Sequence, residues 1–387
     1  MIPLGLSAEQ LKTLHSVLAG HHSIYVTAQL LTLDGTRLAD LSWRVLDGQV
    51  DVDSNAAVTR SCTLSLFDPN RTMSFDTDSP DDGAIYLDRM IQVNYAVRGP
   101  GTEQFVIPVF TGPVTKLSRS NDVINVEAQG KEVLAMGAVW ATRTYKKGMR
   151  KTDLIRSVLA EVAGETKFTL VESTQRMPAD YTIGMGNTPW GVARNIANSM
   201  GLQLFYDGRG TARLRPLPPS SVFHFRTGDG GTVVKPPQIS YSSDELANVI
   251  WVEGAVPKGA TKPVTGSRAA PSTHPLSPAR LGRNGKPRYL LRKVQNSSIT
   301  SQAAAIELAT KELATALLQA VDVSFDAMPI PHLEPMDMAR LYTDDFGNAF
   351  RVLKFSIPLT TGSSGEGPPM SVGYLKRVSN KPRGVNK

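Results

Sequence analysis

Cysteine is nearly absent from this sequence, since Cys62 is the only one among 387 residues. A single cysteine excludes a disulfide bond within the chain, and the length is sufficient for two or three domains with buried cores. In "SCTLSLF" the apolar residues Cys62, Leu64 and Leu66 alternate with serine and threonine. This alternation predicts a half-buried strand in which Cys62 is a small core side chain and not a nucleophile.

Long hydrophobic runs are also missing. Nowhere do eighteen apolar residues follow one another, and the N-terminus lacks a basic region followed by an apolar run. These absences argue against a membrane span and against a signal peptide. We therefore expect a protein that is soluble where it is made and does not insert into a membrane.

Acidic residues are missing from one long stretch. Between Glu253 and Glu307 there are nine Lys or Arg and no acid, and the last twelve residues, "KRVSNKPRGVNK", contain five more cations. The net charge is +7, yet without these two segments 28 bases face 35 acids. The basic charge therefore belongs to two segments and not to the body of the chain.

The basic stretch has three interpretations. Its cations can neutralise nucleic-acid phosphates, dock on an acidic partner, or simply be solvated. Tyr289 is its only aromatic residue, so the base stacking typical of single-strand binding is poorly supported. The candidate interface residues are Arg268, Arg280, Arg283, Lys286 and Arg288.

Motifs for catalysis, metals and cofactors are not found. The histidines, at 15, 21, 22, 224, 274 and 332, lack zinc-pair spacing, and there is neither a G-x-S-x-G elbow nor a Walker loop. "DVDSN" begins like a calcium loop, but Ala56 stands where the sharp turn needs glycine. We interpret the cluster of Asp76, Asp78, Asp81 and Asp82 as a solvated acidic loop. We therefore predict no enzyme activity, no metal and no cofactor, although paired carboxylates from distant positions stay open.

What the sequence does contain is a run of alternating strand patterns. Ile24 to Leu30, Ile91 to Val97 and Ile124 to Ala128 each alternate apolar and polar residues between turn signals. In the last of these, Asn125, Glu127 and Gln129 lie opposite the apolar set. One face of this sheet is therefore expected to meet water.

Helical patterns follow from residue 151. Leu154 to Val162 form an apolar stripe that we expect to be capped by Thr152 and ended by Gly164. "TPWGVARNIANSMGLQLFYDGRGTARLRP" then predicts a second helix, with Thr188 as its N-cap, followed by a hairpin. Trp190 is the expected core anchor of this helix-and-hairpin module.

A second strand-rich region begins near Val222. It is interrupted by a stretch rich in proline, glycine and serine, which we expect to be a long flexible loop. "SQAAAIELATKELATALLQA" then predicts an alanine-rich helix, and "DVSFDA", "RVLKFSIPL" and "MSVGYLKRV" predict further strands.

The order of these features resembles the hub proteins of bacteriophage tails, also known as baseplate-hub or tail-associated proteins. The resemblance covers most of residues 20 to 377. It rests on "VFTGPVTKLSRSNDVINVEAQGKEVLA", "KTDLIRSVLAEVAG", the Trp-containing helix with its hairpin, "NVIWVEGA" and "DVSFDAMPIPHLEPMDMARL". It implies an α+β, mainly β fold, in which two tail-tube-like antiparallel β-barrel domains flank a small α/β module.

The predicted domains follow from this arrangement. They are an N-terminal segment 1–19, a first barrel 20–142, an α/β module 143–221, a second barrel 222–377 with a flexible basic loop 255–288 and a helix 301–319, and a basic tail 378–387.

The resemblance also implies a function. The chain would be a virion protein, made in the host cytoplasm, that closes the distal end of the tail tube as a trimeric ring. Its partners would be the distal tail protein and tube, the tape measure protein, and a tail fibre or spike, with DNA passing through the channel without specific binding. A tail-borne peptidoglycan hydrolase and a nucleic-acid-binding module remain the alternatives.

The turn before the last predicted strands departs from the family pattern. The family often has Pro-Gly-Asp before the last strands, whereas this chain has Pro335, Met336 and Asp337, so the turn geometry stays open. Polar strand faces such as Asn125, Glu127 and Gln129 are expected to line a neutral to negative channel, with residues 258–288 outside the channel or at protein interfaces. The alternative is that these faces point to outer solvent.

Overall fold

The computed structural model describes residues 1–377 except 3, 21, 74–84, 86, 88, 102, 229, 242–245, 258, 319–320, 344–346 and 361–369. The predicted basic tail 378–387 and the aspartates at 76, 78, 81 and 82 lie outside the described residues.

In the N-terminal part, the residues that the structure describes form one α-helix and seven strands. Helix α1 (Ala8–Ala19) begins at Ser7, which forms a reciprocal capping box with Gln10. The strands are β1 (Ser23–Thr32), β2 (Arg37–Asp40), β3 (Val45–Asp53), β4 (Arg60–Phe67), β5 (Arg89–Arg98), β6 (Gln104–Ser120) and β7 (Val123–Gln129). The predicted alternating strands are therefore confirmed, because β1, β4, β5 and β7 contain them.

The middle part contains two helices among short strands. Its elements are β8 (Arg143–Tyr145), α2 (Lys151–Ala163), β9 (Phe168–Leu170), β10 (Tyr181–Ile183), α3 (Pro189–Ser199), β11 (Gln203–Tyr206) and β12 (Ala212–Arg215). Thr188 caps α3 by accepting a hydrogen bond from the Gly191 backbone, and Gly164 ends α2 with a φ of 67°. The expected cap at Thr152 is wrong, because α2 begins earlier and buries Thr152 inside the helix.

The described residues of the C-terminal part form nine strands and two helices. Its elements are β13 (Phe223–Arg226), β14 (Gln238–Tyr241), β15 (Val249–Glu253), β16 (Thr265–Ala269), α4 (Pro278–Leu281), β17 (Leu291–Gln295), α5 (Gln302–Leu318), β18 (Val321–Ala327), β19 (Met338–Tyr342), β20 (Gly347–Pro358) and β21 (Met370–Arg377).

Strands from both ends of the sequence form one large sheet. Its order is β14-β18-β21-β20-β3-β4-β7-β6-β5-β1-β2, with β19 on β20 and β13 on β19. The long strand β20 pairs antiparallel with β3, β19 and β21 and so joins the two halves. The fold is mainly β with a large antiparallel sheet, but the described strands show no closed barrel. The two-barrel layout and the predicted domain boundaries stay predictions.

A smaller unit interrupts the C-terminal part. Strands β16, β15 and β17 form a separate three-stranded sheet with α5 packed on it, around a core that includes Ile250, Val252 and Leu313. Gly266 permits this packing, because a Cβ there would lie 2.6 Å from the backbone nitrogen of Ile306. The expected flexible loop 255–288 thus contains a paired strand and the short helix α4, since the chain recovers its ordering entropy through this sheet.

Candidate interaction surfaces

The outward side of β3, β4, β7 and β20 is a largely polar surface, which we call the polar face. Its side chains alternate with buried apolar residues such as Val50, Cys62 and Val126. Its members are Asp47, Gln49, Asp51, Asp53, Ser61, Thr63, Ser65, Asn125, Glu127, Gln129, Lys354 and Ser356. The prediction that Asn125, Glu127 and Gln129 lie opposite the apolar set is confirmed.

Strand register aligns these residues in rows across the sheet. One row passes from Gln129 through Ser61 and Asp51 to Ser356. The Ser356 hydroxyl accepts a hydrogen bond from the Ser371 backbone at 3.3 Å, which extends the row onto β21. Most of these side chains are short.

The polar face has little net charge. Lys116 beside it forms an ion pair with Glu127 at 2.7 Å, and at its far end Lys235 pairs with Asp326 at 2.6 Å. The other charged side chains of the face are three aspartates, at 47, 51 and 53, and one lysine, Lys354. A depression of about 570 Å³ lies at this end, lined by Asp51, Lys235, Lys354 and Ser371 among others. The face is therefore neutral to slightly acidic.

The five predicted interface cations are all exposed. Arg268 lies on β16 and donates a hydrogen bond to the Thr310 hydroxyl of α5 at 3.2 Å. Arg280 lies in α4, and Arg283 and Lys286 flank a tight turn in which Asn284 and Gly285 have φ angles of 54° and 72°. Such angles are typical of a type I′ turn, which the Asn-Gly dipeptide favours.

A buried asparagine holds the segment that carries these cations. The Asn248 amide donates to the Arg288 carbonyl at 2.9 Å, and its oxygen accepts from the Leu290 backbone at 2.8 Å. The Arg288 backbone in turn donates to the Pro278 carbonyl at 2.9 Å. The cations therefore sit on a hydrogen-bonded framework. Within the described residues, no acid lies within ion-pairing distance of Arg280, Arg283, Lys286 or Arg288.

Trp190 joins the middle part of the chain to the large sheet. It is 2% exposed, packs against the Tyr206 ring with centroids 5.4 Å apart, and donates from its indole nitrogen to the Ala57 carbonyl at 3.1 Å. On the same helix, Arg194 donates to the Ala56 carbonyl at 3.1 Å. Helix α3 is thus attached to the loop between β3 and β4.

The hairpin that follows Trp190 is docked on the sheet by its turn. Asp207 accepts hydrogen bonds from the backbones of Arg209 and Thr211, and Thr111 donates to the Gly208 carbonyl at 3.0 Å. A Cβ at Gly208 would lie 2.2 Å from the Pro108 carbonyl oxygen. The absence of a side chain at Gly208 therefore allows the turn to pack closely against the backbone of β6.

A buried ion pair lies beneath this hairpin, and the sequence did not reveal it. Arg60, 2% exposed, donates to Glu334 at 2.9 Å and to the carbonyls of Val109 and Tyr206 at 3.1 and 3.4 Å. These partners are 49 to 274 residues away along the chain. No local spacing signals such a contact, because it depends on the completed sheet.

Glu132 is fully buried beside the same centre. Its Oε1 accepts from the backbones of Thr59 and Tyr206 at 3.3 and 3.5 Å, while Oε2 has no hydrogen-bond partner in the described structure. Burial raises the pKa of Glu132. This carboxyl group is therefore neutral over a wider pH range than an exposed glutamate.

In the Pro335-Met336-Asp337 turn, Met336 adopts the left-handed conformation that glycine would adopt more easily. Met336 has a φ of 64°, and its backbone is held by bonds to the Val352 carbonyl at 2.8 Å and from the Arg351 guanidinium at 3.0 Å. Strand β19 then pairs with β20 in regular antiparallel register. Tertiary contacts thus impose the positive φ that methionine resists.

The described residues contain no group of three or more His, Cys, Asp or Glu that could hold a metal ion. Cys62 is buried, and burial raises the pKa of its thiol, as for a core side chain. The Nε2 atoms of His15 and of buried His332 lie 3.0 Å apart, and burial lowers the pKa of His332 to about 3.

None of the helices in the described part of the chain combines the length and the apolar character that crossing a bilayer requires.

Comparison with solved structures identifies the fold. A tail protein from Neisseria meningitidis has a TM-score of 0.62 and 13% identity over 92% of this chain and 96% of that chain. The 43 kDa tail protein of prophage MuSo2 from Shewanella oneidensis has a TM-score of 0.61 and 12% identity over 90% and 97%. A prophage tail protein from Listeria monocytogenes has a TM-score of 0.50 and 9% identity over 90% and 95%.

These matches confirm the predicted resemblance at the level of fold, over nearly the full length of both chains. By sequence, no family model and no curated protein matches the chain.

Proposed function

We propose that this chain is a structural subunit of a phage-type tail. The observation that carries the proposal is the shared fold with two tail proteins over at least nine-tenths of each chain. The arrangement of the described residues agrees with a structural role, because its polar centres connect elements of the fold. Its place would be the virion tail, and no catalytic role is assigned to it.

The finer form of the proposal is a hub at the tail tip. Three copies would form a closed ring around the channel, below the tail tube and distal tail protein and above a fibre or spike, with the tape measure end inside. Cyclic closure requires heterologous contacts between different surfaces of identical chains. The stretch that carries the exposed Arg268, Arg280, Arg283, Lys286 and Arg288 is one candidate for such a surface.

Within that ring we assign the polar face to the channel. A channel that passes DNA must not bind it, and a basic lining would hold phosphates through many counterion-releasing contacts. The short side chains and the neutral to acidic balance of the polar face satisfy this requirement. Arg268, Arg280, Arg283, Lys286 and Arg288 would then lie outside the channel or at contacts between proteins.

Electron microscopy of intact particles that contain this chain tests the proposal. We expect density for three copies at the distal end of the tube, with β3, β4 and β7 facing the channel. Absence of the chain from the tail would overturn the structural role, and its presence at another stoichiometry would overturn only the trimer.

A further inference from the structure

A polar cavity of about 300 Å³ lies between the large sheet and the middle part of the chain. The sheet contributes the turn between β1 and β2 and side chains of β5 and β6, and the middle part contributes the loop after α2 and the turn between β11 and β12. The described lining includes four cations, at 37, 131, 167 and 209, and two acids, at 34 and 165. Its volume is at the lower end of the range for ligand sites, so the cavity suits a small molecule and not a polymer.

A buried ion pair forms part of the cavity wall. Lys131 and Glu165 are 8% and 4% exposed, and the Lys131 Nζ lies 2.5 Å from the Glu165 Oε2. The other carboxylate oxygen of Glu165 accepts hydrogen bonds from the backbones of Thr166 and Lys167 at 2.9 and 2.8 Å. The negative charge of Glu165 is therefore balanced within the fold.

The charged side chains on the β1–β2 side of the cavity also have partners. Asp34 accepts hydrogen bonds from the Thr32 hydroxyl and from the Thr36 backbone. Arg37 forms an ion pair with Asp40 at 2.8 Å. The charge on this side is therefore balanced as well.

The two remaining cations, Lys167 and Arg209, have no acidic partner. Both are exposed, and no acid in the part of the chain that the structure describes lies within ion-pairing distance of either. Their backbones are fixed, because the Lys167 carbonyl accepts from Ala212 at 2.9 Å and the Arg209 backbone donates to Asp207 at 3.0 Å. A Cβ at Gly35 would lie 3.2 Å from the Lys167 Nζ, so this ammonium group lies against the turn between β1 and β2. The cavity therefore carries two unbalanced positive charges on fixed backbone.

We propose that this cavity binds a small anion with a phosphate group, either inorganic phosphate or a small phosphate monoester. Such a group carries close to two negative charges at pH 7 and has three acceptor oxygens, which matches two unpaired cations better than the single charge of a carboxylate. The Arg209 guanidinium can donate two parallel hydrogen bonds to phosphate, and Lys167 supplies a point charge. The inference goes beyond the proposed function and does not depend on it.

Isothermal titration calorimetry of the full chain with inorganic phosphate tests the site, with ionic strength held constant by sodium chloride. We expect one phosphate to bind per chain. Lys167→Gln and Arg209→Gln should each weaken binding by about ten- to a hundredfold, the usual effect of losing one hydrogen bond to a charged group. Glycerol 3-phosphate as a second titrant distinguishes the two sources: tighter binding than phosphate assigns a monoester, and weaker binding assigns the free ion.

Thermal unfolding checks the fold of each variant. A ligand that binds only the folded chain raises the melting temperature, so phosphate should stabilise the native chain more than either variant. Without phosphate, both variants should melt like the native chain, since each replaces an exposed side chain. Lys12→Gln and Arg98→Gln are the matched controls, because they remove the same charges at exposed positions outside the cavity. Both should bind phosphate like the native chain.

Any of four results would overturn the inference. They are absence of phosphate binding to the native chain, unchanged affinity in both cavity variants, an equal loss of affinity in the two controls, and acetate binding as tight as phosphate binding.

Discussion

At the scale of single residues, backbone strain arises where the fold requires a positive φ at a residue that is not glycine. Met336 is the clearest case, because its φ of 64° lies in the region that glycine adopts at little cost. The sequence showed that the favourable residue is missing from this turn. It did not show whether the turn persists, because the bonds to Val352 and Arg351 arise only after β19 and β20 pair.

Met336→Gly is expected to leave the free energy of unfolding unchanged or to raise it by up to about 1 kcal/mol. Relief of left-handed strain, roughly 1 to 2 kcal/mol, outweighs the greater entropy of glycine in the unfolded chain, about 0.4 to 1 kcal/mol. Urea unfolding measures the change. Met336→Val is the matched comparison, since a β-branched residue tolerates positive φ least, and it should be the less stable variant. The opposite order would contradict the assigned backbone.

Glu132 gives a prediction about pH. Its pKa in the folded protein is raised by burial, so the native state holds a proton that the unfolded state has released once the pH exceeds the ordinary value of 4.5. Stability therefore falls as pH rises through that window, by up to about 1.4 kcal/mol per pH unit. Glu132→Gln keeps the accepting oxygen and abolishes the titration, so its stability should exceed that of the native chain increasingly at higher pH.

Unfolding by urea at pH 5 and pH 8 measures this difference. If Glu132→Gln is less stable than the native chain by the same amount at both pH values, the Glu132 carboxyl group is ionised in the folded protein.

At the scale of elements, the helix α3 shows how one side chain attaches a module to the sheet. Trp190→Ala is expected to lower the free energy of unfolding by roughly 3 to 5 kcal/mol, because it removes a buried ring and its hydrogen bond to Ala57. Trp140, which is 90% exposed, provides the control. Trp140→Ala should change stability by less than about 0.5 kcal/mol. Similar melting temperatures for the two variants would contradict the burial of Trp190.

The sequence predicted α3 in detail and the basic segment poorly, for a physical reason. The features that define α3 are Thr188, Pro189 and the apolar stripe, and all of them lie at or within this one helix. A local sequence pattern is therefore sufficient to predict it. Strand β16 pairs with β15 through contacts that its glycine- and serine-rich composition does not indicate. The Asn284-Gly285 dipeptide is typical of a tight hairpin turn. The hydrogen bonds of Asn248 to Arg288 and Leu290, however, join residues 40 and 42 positions apart, and no local pattern predicts them.

At the scale of the whole molecule, two features of the sequence predicted a mainly β fold with a central module. They are the alternation of apolar and polar residues within the strands and the order of the motifs, which resembles that of phage tail hub proteins. What they did not predict is that strands before and after the module share one sheet. That pairing depends on the register between β3 and β20, and the side chains on both strands alternate equally well in other registers.

The assignment of the polar face to the channel predicts how DNA responds to added charge. Ser61→Arg, Thr63→Arg and Asn125→Arg together should make the assembled ring retain duplex DNA, with log K falling by about 0.9 per neutralised phosphate for each tenfold rise in salt. Filter binding over a salt series measures the slope. Thr142→Arg, Thr174→Arg and Ser272→Arg add the same charge at exposed positions off the face. Retention of duplex DNA by this control variant, or by the native ring, would contradict the assignment of the polar face to the channel.

The joining of β3 to β20 also constrains how the protein is made. The two strands lie about 300 residues apart, so during synthesis at roughly 5 to 20 residues per second the partner of β3 emerges many seconds later. Until then β3 presents an unpaired edge, which is a site of aggregation. Three aspartates of β3, the exposed Asp47 and the half-buried Asp51 and Asp53, keep that edge charged until the last strands are synthesised.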